Sequence, residues 1–136
     1  MRSYWVIPFA LLGLSGCVTE THSVTKNSPV VNSEMNNQEA ARTRISLALE
    51  YLKAGNNTQA KFNLERAAKF APKLPEVHYT LAYYFEQVKE FQRAKASYQT
   101  ALKLVPNDPN TLNNYGTFLC RIGEYDEARA QLLKAI

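Results

Sequence analysis

From Glu39 to Ile136 the apolar and small side chains recur at helical spacing, and the helical stretches repeat in register with one another. Ala60, Ala94 and Ala128 stand 34 residues apart, as do Pro72 and Pro106. Four residues after each of those alanines comes a large side chain (Leu64, Tyr98, Leu132), and seven after comes another alanine (Ala67, Ala101, Ala135). Numbering each unit so that its first alanine holds position 20 starts the units at Ala41, Pro75 and Pro109. Position 8 is then small in every unit (Ala48, Ala82, Gly116), whereas position 7 (Leu47, Leu81, Tyr115) and position 11 (Tyr51, Phe85, Leu119) are large. Small residues at 8 and 20 let two helices approach closely, and large ones at 7, 11 and 24 fill the layer beside them. These positions therefore predict the core. Asp108-Pro109 reads as an N-cap followed by proline at the first helical position. Gly55 and Gly123, both at position 15, supply the left-handed residue that ends a first helix. Lys89 at the same place predicts a slightly different turn in the second unit. Helices are expected at 39–53, 57–70, 75–87, 91–104, 109–121 and 125–136.

A 34-residue period with this order of small and large residues resembles the tetratricopeptide repeat, a helix–turn–helix unit. The resemblance implies an all-α fold whose hairpins stack into a right-handed α-α superhelix. The repeats span 41–74, 75–108 and 109–136 within a domain of 38–136, the last repeat incomplete. Position 4, usually bulky in this family, holds Arg44, His78 and Leu112. Arg44 departs from the pattern, and His78, with no second ligand three or four residues away, reads as a packed or half-exposed histidine. The chain stops inside the second helix of the third repeat, before any polar cap, which predicts a piece of a longer array or a truncated product.

The first 37 residues carry none of this period. Arg2 precedes an apolar run from Tyr4 to Leu14, about eleven residues and so too short to span a bilayer, which takes roughly 20. A charged start, a short apolar core and small residues at the end make a secretory signal peptide over 1–16. Leu14-Ser15-Gly16-Cys17 resembles the bacterial lipobox, which implies cleavage before Cys17 and lipidation of that residue. Two or more acyl chains anchor stably. Val18 rather than aspartate follows the cysteine, which by the lipoprotein rule implies the periplasmic face of the outer membrane. Residues 17–37 are rich in Ser, Thr and Asn and read as a flexible tether with a reach of about 25 Å.

The repeats leave a surface for function. In such a superhelix, positions 2, 5, 9, 12 and 13 of the first helices line the concave face. Ile45, Leu49 and Leu52 make an apolar stripe there, and Tyr79 and Tyr83 extend it as a half-polar wall. This groove suits an amphipathic helix or extended peptide held by a few anchors. Packing of the stripe against the tether or a neighbouring molecule is the alternative. Asn110, Asn113, Asn114 and Thr117 have the chemistry to bond a peptide backbone. The Lys and Asn of a chaperone-type carboxylate clamp are replaced by Ile45 and Leu49.

Composition narrows the class further. The 136 residues carry 16 Lys and Arg against 12 Asp and Glu, a net +4 with the signs interspersed, so no basic block points to nucleic acid. Two cysteines, Cys17 and Cys120, are too few for a disulfide framework or a Cys-rich zinc site. No phosphate loop, nucleophile elbow or metal-spaced histidine pair occurs, so neither an enzyme nor a cofactor or small-molecule substrate is expected. Cys120 reads as a packed thiol, with pairing to a cysteine outside these residues as the alternative.

A lipobox, a polar tether and repeats containing Asn113-Asn114-Tyr115-Gly116-Thr117-Phe118-Leu119-Cys120 resemble the type IV pilus biogenesis lipoproteins, the PilF/PilW pilotins. The resemblance covers the whole chain and about the first half of a usual family member. It implies a scaffold that helps the pilus secretin of the outer membrane localise and assemble into its ring. A general periplasmic scaffold for envelope or cell-wall machinery shares every feature except the Asn113–Cys120 stretch.

Overall fold

The computed structural model describes residues 30–136, with side chains from Ser33 onward. The signal peptide, Cys17 and the tether as far as residue 29 lie outside the described residues. Six helices follow in order: α1 (Val30–Lys53), α2 (Asn57–Phe70), α3 (Pro75–Gln87), α4 (Phe91–Leu104), α5 (Pro109–Arg121) and α6 (Tyr125–Lys134). The chain is all-α over these residues, built of stacked helical hairpins. Every helix from α2 to α5 has the bounds that the repeat predicts.

The helix ends show why. Asn56 caps α2 by accepting a bond from the Gln59 N–H at 3.1 Å. Asp108 caps α5 by accepting from the Thr111 N–H at 2.8 Å and its hydroxyl at 2.6 Å. Pro75 and Pro109 stand at the first turns of α3 and α5, where a missing N–H costs nothing. The first helices all end in one turn. The position-15 N–H bonds to the position-12 carbonyl, and the position-16 N–H reaches the position-11 carbonyl, as in Glu90 to Phe85 at 2.8 Å. The position-15 residues are left-handed in all three, with φ of 75° at Gly55, 64° at Lys89 and 85° at Gly123. The expected difference at Lys89 is thus absent: the lysine takes up the glycine conformation, because the turn's two hydrogen bonds outweigh the crowding of its Cβ.

The tether needs a correction too. Its last residues are helical, since α1 begins at Val30, nine residues ahead of expectation. Once Ala41 and Ala48 dock in the core, each added turn gains hydrogen bonds without a new nucleus. Ser33, Glu34, Asn37 and Gln38 run beside Phe70 to Leu74 of the α2–α3 turn and share a hollow of about 300 Å³ with it.

The core follows the repeat positions. Ala48, Ala60, Leu64, Ala82, Ala94 and Ala128 are wholly buried. At Gly116 a Cβ would lie 2.6 Å from Leu132 Cγ, so the close approach of α5 and α6 depends on the missing methyl. Position 7 departs from expectation at one place. Tyr115 is buried and stacks on Tyr98 of the preceding repeat with ring centroids 5.1 Å apart, whereas Leu47 is 42% exposed. Position 7 is covered by the repeat before it, and among the described residues none precedes the first. Arg44, unusual at position 4, is accommodated by donating to Asn63 Oδ1 at 3.0 Å. His78, at the same position, is half-buried with Nε2 2.7 Å from the Pro72 carbonyl oxygen, a structural contact.

Each first helix pairs with its second helix, and α1, α3 and α5 also pack on one another. No Cα of α2 comes within 8 Å of α4, nor of α4 within 8 Å of α6. The first helices therefore form a tight inner layer, and the second helices fan out as a separate outer one.

Candidate functional site

The inner layer carries a groove across all three of its helices. A cavity of about 290 Å³ is lined by Leu49 of α1, Tyr79, Thr80 and Tyr83 of α3, Tyr98 of α4, and Asn114, Thr117 and Arg121 of α5. Leu49 and Tyr83 also border a larger, open hollow of about 560 Å³, with Thr43, Ser46, Leu47, Glu50 and Lys53. Both hollows belong to one surface, because those two side chains form the ridge between them.

The structure brings together Leu49, Tyr79, Tyr83 and Thr117 of the expected site, and Asn114 with them. It does not bring in the rest. Ile45 is buried and belongs to the hydrophobic core, where α1 lies against both α2 and α3. Leu52 is half-buried against that core and borders neither hollow. Asn110 and Asn113 are exposed and line a separate hollow with Pro109, Leu132, Ala135 and Ile136. Thr117 spends its hydroxyl proton on the Asn113 carbonyl at 2.8 Å, leaving lone pairs toward the groove.

Beneath the groove lies a polar support. Glu86, buried on α3, accepts from the Tyr98 hydroxyl at 2.6 Å through Oε1 and from Arg121 through Oε2. A buried carboxylate is thus paired twice, and Arg121 is held at the cavity wall. Burial, with the Glu86 carboxylate beside it, pushes the Tyr98 hydroxyl far above its ordinary value. Burial likewise raises Tyr79, helped by Glu76. Both phenols stay neutral donors at physiological pH. The site offers aromatic faces, hydroxyls, an amide and a paired guanidinium, with no nucleophile set beside a base. Cys120 is an exposed free thiol, which corrects the packed-thiol reading. Among the described residues no three His, Cys, Asp or Glu gather to hold a metal.

Models of the tetratricopeptide repeat match residues 41–74, 75–108 and 97–130. The type IV pilus assembly protein PilF of Pseudomonas aeruginosa is 35% identical over 124 residues, which are 91% of this chain and 47% of that protein. The solved structure of P. aeruginosa PilF superposes with a TM-score of 0.70 at 37% identity, covering 74% of this chain and 45% of that one. PilW, described as a widely conserved type IV pilus biogenesis factor, superposes with a TM-score of 0.66 at 31% identity, covering 70% and 44%. The chain is a tetratricopeptide-repeat protein of the PilF/PilW family. It spans about half the length of the curated relatives it matches.

Within this PilF/PilW homologue the groove residues that sequence reasoning missed include Leu47, Thr80 and Tyr98, whereas Arg121 stands at a concave-face position of the repeat. Leu47 and Tyr98 sit at core positions of the repeat, so only the edge of the stack and the depth of the groove reveal them. Glu86, at a concave-face position, reads as exposed in the sequence. Its signal was the combination of Glu86 with an arginine 35 residues on, one position beyond the repeat period.

Proposed function

We propose that this protein is an outer-membrane lipoprotein scaffold, a pilotin, that binds the type IV pilus secretin through its concave groove and promotes secretin localisation and multimerisation. Cys17 carries the lipid and holds the repeats at the periplasmic face. The groove of Leu49, Tyr79, Tyr83 and Thr117 captures a secretin segment, with Leu47 widening its apolar floor. Confinement to a surface raises the effective concentration of captured subunits, which favours ring formation without any chemistry.

The observation that supports this reading most is the cavity itself. Tyr79, Tyr83 and Leu49 offer aromatic and aliphatic anchoring, of the kind that dominates binding energy, in a protein related to PilF and PilW. Among the described residues no helix is long and apolar enough to cross a membrane, so attachment by lipid at Cys17 supplies the tie. Leu49→Asp and Tyr83→Asp are expected to weaken pull-down of the cognate secretin at least 30-fold, on the order of 2 kcal/mol, with helical circular dichroism unchanged. Undiminished capture by both variants refutes the groove.

A further inference from the structure

The two layers of the fold differ in charge. The inner helices α1, α3 and α5 carry four Lys and Arg against five Glu, a net −1, whereas α2, α4 and α6 carry eight against three acids, a net +5. The inner cations at the groove are each paired: Arg42 with Glu76, Lys53 with Glu50, and Arg121 with Glu86. On the outer layer Arg66, Lys69, Lys103, Arg129 and Lys134 are exposed, and none forms an ion pair among the described residues.

The repeat arranges these cations. Position 21 is basic three times over, as Lys61, Lys95 and Arg129, of which Lys61 is paired with Glu65 and Lys95 with Glu124 and Glu127. Position 29 is basic as Lys69 and Lys103, and position 26 as Arg66 and Lys134. Residues 34 apart occupy equivalent places in successive hairpins, so the charges form rows across the outer layer. An apolar contact accompanies them: Phe62 is 47% exposed, with the Arg66 guanidinium 5.2 Å above its ring. Cations in rows beside an exposed aromatic fit a phosphate-bearing interface with an apolar layer beneath it.

We infer that the outer layer of α2, α4 and α6 docks on an anionic phospholipid surface, which turns the groove away from the membrane and toward its partner. The inference rests on the lipid-anchored reading for the membrane's nearness, and on charge complementarity for the face. Each cation near an anionic surface strengthens binding roughly fivefold, so the rows add directionality to an anchor that has none.

The test uses the full chain carrying Cys17→Ala, so that its outcome is independent of lipidation, which the mass of the mature N-terminus reports separately. Co-sedimentation is measured with phosphatidylcholine vesicles and with vesicles containing phosphatidylglycerol. Any pull from the apolar leader is common to all variants. The expected result is at least tenfold tighter binding to the anionic vesicles, declining with added salt. Lys69→Glu/Lys103→Glu reduces that preference to within twofold, with helical circular dichroism retained because neither lysine is paired and only the small last-turn dipole contribution is lost. Arg42→Glu/Lys53→Glu, the same charge change on the inner layer, retains it. Absence of any anionic preference, or equal loss in the two double variants, overturns the inference. So does tighter binding to a mixed-sequence RNA at equal phosphate concentration, which assigns the face to nucleic acid instead.

Discussion

An arginine–glutamate pair bridges each junction between repeats, and the two pairs live in different surroundings. At the first junction Arg42 Nε lies 3.1 Å from Glu76 Oε2, with the side chains 51% and 35% exposed. At the second, Arg121 binds Glu86, whose side chain is only 5% exposed and whose other oxygen takes the Tyr98 hydroxyl. Tyr98 in turn stacks on Tyr115, which donates to Glu127, and Lys95 bridges Glu124 and Glu127 at 2.6 and 2.8 Å. The second junction is a connected polar and aromatic clasp. The first has the exposed Arg42–Glu76 pair and is bordered by the open hollow of Leu49 and Tyr83. The groove thus has an α5 wall tied into a polar and aromatic network and an α1 wall tied to the next repeat by an exposed ion pair.

Arginine removal separates the two junctions most sharply. Arg121→Ala leaves a buried carboxylate with one neutral partner and is expected to cost about 3 kcal/mol, whereas Arg42→Ala costs less than about 1 kcal/mol because water screens that pair. Urea unfolding followed by circular dichroism measures both. Equal losses would mean that burial does not distinguish the junctions.

A smaller effect is expected at the turn leading into the clasp. Lys89 is left-handed at φ 64°, where its Cβ is crowded and glycine is not, and Lys89→Gly should stabilise by about 1 kcal/mol. A fall in the urea midpoint would contradict the strain assigned to it.

The clasp also has a pH signature, the smallest effect of the set. Hydrogen bonding from Lys95, against a smaller opposing contribution from burial, holds the Glu127 carboxyl below its usual 4.5. A depressed carboxyl contributes stability above its unfolded value and loses it as pH falls through the folded one. Between pH 7 and about pH 3.5 the wild type should therefore lose more stability than Lys95→Met, in which that contribution is already gone. Parallel losses would detach Lys95 from the clasp.

How much of this was legible in the sequence varied with the kind of interaction. Helix bounds from α2 to α5 follow from local chemistry: prolines at first turns, the side-chain caps of Asn56 and Asp108, and a fixed spacing of small residues. Burial at Ala60 or Ala94 follows from the same period, because close helix approach admits only a small side chain there. Ile45 and Leu47 resisted this logic. They lie two residues apart on α1, and their environments depend on which neighbouring helix covers them. The early start of α1 also escaped, since residues 30–38 have no repeat pattern and are helical beside the α2–α3 turn.

The amino-acid order by itself determined the hairpins, their period and the small-residue contacts, because each depends on spacing within a few turns of helix. The tertiary structure alone decided which concave positions become a cavity, that Glu86 lies under it rather than on it, and that Arg66, Lys69, Lys103, Arg129 and Lys134 of the outer layer stand without an ion pair among the described residues. Those outcomes depend on distances between residues about a repeat apart, and such distances are set by how hairpins stack, not by any side chain's own preference.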